Sequence, residues 1–554
     1  MTNDLVITSG RVFTGAALHP TATAVAVSGG RVVAIGSDED ALAAVPGGAE
    51  LFDAAGGLIT PGFLDSHVHP TQGGHERLTC DLTDSTDAAS ALELVRRYAV
   101  EHPEDDWIVG GGWHLPHFPG GLPRAELLEQ AAPGRKVYLV NADHHGAWVS
   151  PAALAAAGMD ADTPDPADGH IDRDPDGSPS GTLQEGAMDL FEHLLPVPDD
   201  AAYVDALVEA QRYLRSFGIT GWQDAILGSY AGARDSTEAY LLGFESGALS
   251  ARVSAALWLT RGFGLDEVAD VVARLVAARD RIGVRTNDAG GSFKAVTVKI
   301  MQDGVPESRT AALKQPYLDG HGHPTDQLGP SHFPPEVLDA VAVALAREGF
   351  QLHIHAIGDR AVAEALHALG LAAEQTDGEA LRHHLAHLQQ VDLDDIATMA
   401  SLGVTANLQA LWACNSDQMT ELNLPLVGEG RFREQYPFAA MAAAGVRLAM
   451  GSDWPVSTPD PWQAISVAVT RVEPGEDRYP PLGKGQELTL EQALSAYTAG
   501  SARVTLHDDA GRIELGGRAD LAVADRNPFD LSAQQIHTVR NVLTVSAGRV
   551  VHRG

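Results

Sequence analysis

Two cysteines in 554 residues, Cys80 and Cys414, exclude a disulfide framework and fit a reducing compartment. Positive charge is also short. The formal net charge is −36, which argues against nucleic-acid backbones and anionic membrane surfaces as partners and favours a solubility role. Lysine is the scarcer cation, with five residues against 33 arginines. No apolar run is long enough for a transmembrane helix, and the first residues show no basic region ahead of an apolar one. A cytoplasmic protein without signal peptide or membrane span is the expectation. What remains, 44% hydrophobic and 20% charged, is ordinary globular composition, in a chain too long for one simple core.

Short β-branched runs separated by glycine turns occupy residues 5–55, and similar runs return at 519–551. "SGRVF", "GGRVVAIG" and "AGRVVH" read as pieces of one small sheet built from both termini. The middle of the chain is different. From about residue 200, helical segments alternate with short apolar runs at 218–223, 252–259, 295–301, 351–357, 382–388, 404–409 and 447–453. With 63–69 they make eight. Strands alternating with helices imply parallel βαβ units, and eight suggest an α/β fold of the (β/α)8 TIM-type barrel class, whose chemistry sits at the strands' C-terminal ends. The expected organisation is a composite β-sandwich domain from 1–60 and 505–554 and a barrel over 61–504. A lid-like insertion is expected at about 72–200. Within it the acidic stretch 160–180 reads as an exposed loop. Its "DRDPDG" imitates a calcium loop but has Leu183 where a bidentate Glu is needed and is interrupted by Pro175.

Chemistry-bearing residues fall at those strand ends. His67 and His69, spaced i, i+2, leave the first strand on one face, where neutral imidazoles suit a borderline metal. Lys299 lies in the apolar fourth strand, where an ammonium is costly unless paired. Either Asp303 or another carboxylate balances it, or a neutral amine captures carbon dioxide and becomes an anionic carbamate able to bridge two metals. His353 and His355 end the fifth strand, His387 the sixth, and Asp453 the eighth. As a plain helix cap Asp453 has rivals in Ser452 and Ser457.

"PGFLDSHVHP", "VKIMQDG", "HIHAIGDRAV", "HLAHLQQ", "GSDWPV" and "YTAGSARV…GRIELGGRADLAVAD", in this order, resemble the amidohydrolase superfamily, in the branch that contains N-substituted formamide deformylase. The resemblance covers essentially the whole chain. It implies a metal-bearing barrel with a small β-sandwich, and His67, His69, His355, His387 and Asp453 as ligands. It further implies Lys299 as a carbamylated bridge, with carbon dioxide as its source. One or two divalent ions are expected, zinc first among them. His353 is expected to pack beneath the site.

The implied activity is hydrolysis of a non-peptide C–N amide bond of a small molecule by metal-activated water, with Asp453 moving the proton. An N-substituted formamide or other N-acyl compound is the expected substrate. An esterase or lactonase on the same site is the alternative, and a binding scaffold a remoter one. Trp113 and His145 in the insertion and Asp303 after Lys299 are the candidate substrate-binding residues; for Trp113 the insertion's own core is the competing reading. Asp224 and Asp303 are also read as support behind the ligands, and Glu185 receives no defined role. A homodimer is expected only because twofold dimers are the commonest assembly.

Overall fold

The computed structural model describes residues 4–45, 47–142, 144, 146–166, 169–191, 193–230 and 233–554, with Glu185 described by its backbone alone. The chain divides into two compact units: Met1–His69, Gln211–Gly228 and Leu241–Gly554 form one, and Pro70–Ala210 with Ser229–Tyr240 the other.

In the first unit eight strands run in order through one nine-stranded sheet, whose ninth member, Val284–Thr286, pairs antiparallel with the fourth: β1 (Phe63–Val68), β2 (Ile219–Leu227), β3 (Arg252–Trp258), β4 (Ser292–Met301), β5 (Gln351–Ala356), β6 (His384–His387), β7 (Thr405–Leu408) and β8 (Leu448–Met450). Each pairs in parallel with the next. The ends of the sheet meet as well. Asp453 N–H donates to the His67 carbonyl (2.7 Å) and His69 N–H to the Trp454 carbonyl (2.8 Å), while Ser66 Oγ donates to the Met450 carbonyl (2.6 Å). The result is a TIM-type barrel, and its crossover helices bury the stripe that the sequence pattern prescribes. In Pro335–Arg347 the buried residues are Val337, Leu338, Val341, Ala342, Leu345 and Ala346, one face of a 3.6-residue period. Pro335 sits in its first turn, where the missing N–H costs nothing.

The two termini build not one sheet but two. Strands 31–36, 24–28, 5–8 and 50–53 form one, and 11–12, 58–61, 521–524, 541–546 and 549–553 the other. Leu5, Ile7, Val25 and Val27 from the first share a core with Ile59, Leu521, Val523, Leu543 and Val545 from the second. Each sheet has one apolar face, and facing sheets are how two such faces leave water.

The second unit has its own six-stranded sheet, with helices at Ala88–Glu101, Ala125–Ala131 and Pro151–Ala156. The acidic stretch expected as a loop carries the pairing of Gly169–Arg173 with Pro179–Glu185, and Asp174 binds Arg124 at 2.7 Å. Among the described residues, no helix is long and apolar enough to cross a membrane.

Candidate metal centre

Parallel strands deliver side chains to one end of a barrel, and this barrel delivers His67, His69 and Asp453 together. Their ligand atoms all lie within 4.8 Å of one another. Asp453 Oδ1 is 3.0 Å from His69 Nε2 and 3.4 Å from His67 Nε2. These approaches lack hydrogen-bond alignment, so Oδ1 is buried with no hydrogen-bond partner. A lone-pair oxygen and ring nitrogens converging without sharing protons is the arrangement a cation completes.

The local backbone forces this convergence. Gly451 lets β8 close against β1, since a Cβ there would stand 2.5 Å from His67 N. Asp65 ties the two strand ends together: Oδ1 accepts from Ser452 N (3.0 Å) and His67 N (3.2 Å), and Oδ2 from Ser452 Oγ (2.5 Å). Asp453 itself holds a positive φ of 59°, and His387 one of 77°. Non-glycine residues in this region persist where the surrounding structure over-determines them.

His355 and His387 form a second pair, ring centroids 4.3 Å apart. His387 stacks on Trp412 (5.4 Å, 3° between planes), its N–H is taken by Gln409 Oε1 (2.9 Å), and neither ring nitrogen has a hydrogen-bond partner. His387 Nδ1 is 4.0 Å from Asp453 Oδ2. Lys299 is buried at the end of β4 with Nζ 3.4 Å from His67 Nε2.

Electrostatics favour ligand forms. Burial, then the Lys299 charge, push the His67 imidazole down to about 3, so its ring is neutral. Burial likewise holds His387 well below the usual histidine range. Burial brings the Lys299 amine down to about 8 against the pull of Asp453.

The other candidates part company with the site. Asp303, expected either to touch substrate or to support the ligands, is fully buried and saturated. Its oxygens accept from His355 Nδ1 (3.1 Å), Ile357 N (3.0 Å), Gly358 N (2.8 Å) and Ala312 N (3.0 Å). It therefore orients His355 and turns the other ring nitrogen away from itself. Trp113 is likewise corrected: it is buried among Phe118, Leu139 and Trp148 in the second unit's core. Its indole N–H donates to the Leu139 carbonyl (2.9 Å), leaving neither face nor donor for a substrate. His145 lies outside the described residues, as does the side chain of Glu185. Asp224 is buried in β2 and its Oδ1 accepts from Ile226 N (3.1 Å).

Sequence reasoning passed over Asp65, though it stands inside "FLDSHVHP", and Ser452, inside "GSDWP". His332 was also missed; its Nδ1 meets the Met301 carbonyl at 3.1 Å, at the end of β4. His353, expected as packing, makes a 2.9 Å contact through Nε2 with His67 Nδ1.

The amidohydrolase family profile matches residues 50–552. The chain belongs to the amidohydrolase family. It is thus a hydrolase by family, and relatives align along most of this amidohydrolase. YtcJ of Bacillus subtilis (strain 168) is 29% identical over 502 residues, covering 90% of this chain and 89% of its own. The N-substituted formamide deformylase of Arthrobacter pascens is 26% identical over 557 residues, covering 98% and 97%. A crystal structure of an uncharacterized metal-dependent hydrolase from Pyrococcus horikoshii OT3 superposes with a TM-score of 0.72 at 24% identity, over 96% of this chain and 99% of that one. This last likeness concerns the fold.

Proposed function

We propose that this amidohydrolase is metal-dependent and cleaves a non-peptide C–N amide bond of a small molecule, an N-substituted formamide or another N-acyl compound. The observation that carries the reading is the convergence of His67, His69 and Asp453 at the strand ends, with Asp453 Oδ1 buried and unpartnered. The near-full-length likeness to a formamide deformylase supports the bond class. The donor set suits a divalent ion such as zinc: His67, His69 and Asp453 for one site, His355 and His387 for a second. Bound there, such ions polarise a carbonyl and acidify water.

The chain's own residues do the rest. Asp453 Oδ1 faces His67 and His69, which leaves Oδ2 to accept a proton from the attacking water and return it to the departing nitrogen. Asp303 and His353 hold His355 and His67 in place. Lys299, as an ammonium, would repel two cations. As an amine it would add to carbon dioxide and release a proton, and the resulting anionic carbamate would supply oxygen ligands and negative charge to ions held by His67, His69, Asp453, His355 and His387. Asp303 does not balance the Lys299 charge, because both its oxygens are committed to His355 and three backbone N–H groups, and Asp453 is the carboxylate that pulls on it.

Metal analysis of the purified protein, followed by a panel of N-acyl compounds, esters and lactones, tests the reading. One or two equivalents of metal and metal-dependent amide hydrolysis are expected. Faster ester or lactone turnover would replace the amide assignment, and metal-free protein that hydrolyses nothing would end it. For Lys299, protein equilibrated with 13C-bicarbonate should show a carbamate carbon resonance that Lys299→Ala abolishes. Short carboxylic acids should partly restore metal content to that variant. A spectrum identical in both proteins would refute the bridge.

A further inference from the structure

Beneath the strand-end cluster, buried polar side chains from four strands form a belt inside the barrel. It begins at Ser66 on β1, whose single hydroxyl hydrogen is shared between the Met450 carbonyl (2.6 Å) and Asn407 Oδ1 on β7 (2.7 Å). Asn407 Nδ2 donates to the Ser66 carbonyl (2.9 Å), a group that only accepts, and this fixes which end of the amide is nitrogen. The second hydrogen of that nitrogen faces His384 Nδ1 on β6 at 3.2 Å, so this ring nitrogen is the acceptor. The His384 ring lies against that of His353 on β5, centroids 4.2 Å apart. His353 then returns to β1 through the 2.9 Å contact of its Nε2 with His67 Nδ1.

A neutral imidazole has one N–H and one lone pair, so the last contact can be built in two ways. His67 Nε2 decides between them. It is the ring nitrogen turned to the candidate metal site, 3.4 Å from Asp453 Oδ1 and 3.4 Å from Lys299 Nζ, and a nitrogen that binds a metal must offer its lone pair. The lone pair of His67 is therefore on Nε2 and its proton on Nδ1. We propose that His353 is a positioning residue: by accepting the His67 Nδ1 proton, it holds His67 in the tautomer whose Nε2 lone pair points at His69 and Asp453. The inference rests on reading the strand ends as a metal site.

A packing role does not account for the histidine. Its Nδ1 is buried without a hydrogen-bond partner, as is Nε2 of His384, and a phenylalanine of similar shape would fill the space with no such orphan. What phenylalanine lacks is the acceptor. Partners of this kind fix ring orientation and tautomer and raise the basicity of the nitrogen that binds.

Zinc affinity, measured by chelator competition on wild type, His353→Phe and His353→Gln, is the test. Phenylalanine should weaken zinc binding by roughly 10–100-fold, and glutamine, whose carbonyl can accept from Nδ1–H, should recover much of that loss. The melting temperatures of the zinc-free proteins should differ little. Equal affinity in wild type and His353→Phe would overturn the positioning role, as would a glutamine variant no better than phenylalanine. Wild type that binds no zinc would sink the metal reading itself, a different failure. Should the variants not fold, 15N spectra of the wild-type imidazoles decide: His67 protonated at Nδ1 supports the proposal, and protonation at Nε2 refutes it.

Discussion

The barrel's strand ends and the aromatic core of the second unit are both buried, yet they differ in how their polar atoms are matched. In the second unit Trp113 and Trp148 give their indole N–H groups to the carbonyls of Leu139 and Arg124, and Thr182 Oγ1 gives its hydrogen to Pro123. At the strand ends both nitrogens of His387, one each of His353 and His384, and Oδ1 of Asp453 have no hydrogen-bond partner. Leaving a buried polar group unmatched costs about 1–3 kcal/mol each; the second unit carries such atoms singly, at Thr71, Ser85 and His117, whereas the strand ends gather several. The first arrangement holds a fold together, and the second is organised toward something that arrives later.

Asp453→Asn breaks the contrast at its sharpest point. It keeps shape and burial but removes charge and proton acceptor, and turnover should fall by roughly 10²–10⁴-fold while the melting temperature holds. Activity within a few-fold of wild type would strip Asp453 of its role. Trp113→Ala attacks the other side. It should destabilise the protein by about 3–5 kcal/mol in denaturant titrations and leave bound metal per folded molecule unchanged. A stable variant with altered substrate ranking would restore the substrate-wall reading.

A third carboxylate sharpens the comparison. Asp460 is buried in the same unit as Asp453, but caps the helix Pro461–Thr470 by accepting from Trp462 N at 2.9 Å. Burial raises its pKa to about 6 from 3.8, against the pull of that cap and of Arg540. A raised carboxyl binds its proton more tightly folded than unfolded. Stability is therefore lost as pH rises from about 4 to 6, by at most ~3 kcal/mol. Asp460→Asn keeps an acceptor for the cap and should flatten that slope in urea titrations across the same range. An unchanged slope would assign the pH dependence to other groups.

Much of the barrel was legible because its strands are buried on both faces and read as continuous apolar runs between amphipathic helices. All eight runs became strands, with ends displaced by a few residues. His67, His69, Lys299, His355, His387 and Asp453 were legible as candidates for a related reason: each stands at or near the end of such a run, and a parallel barrel gathers those ends. The insertion resisted because its sheet mixes parallel and antiparallel pairs, so neither a strict alternation nor a βαβ rhythm marks it.

Sequence alone determined the family, the barrel and the residue types brought to its mouth, because periodicity and motif order are local properties written along the chain. Tertiary structure decided which polar atoms are satisfied. Asp303 became a brace because Ala312, Ile357 and Gly358 bring N–H groups to it from two loops. Asp453 became a candidate ligand because the rings that face it bring no aligned hydrogen. His353 and His355 differ by two positions on one strand. One reaches His67 and the other Asp303, and that division depends on neighbours 286 and 52 residues away. Hydrogen-bond satisfaction is a property of assembled neighbours, and no pattern along a single chain encodes it.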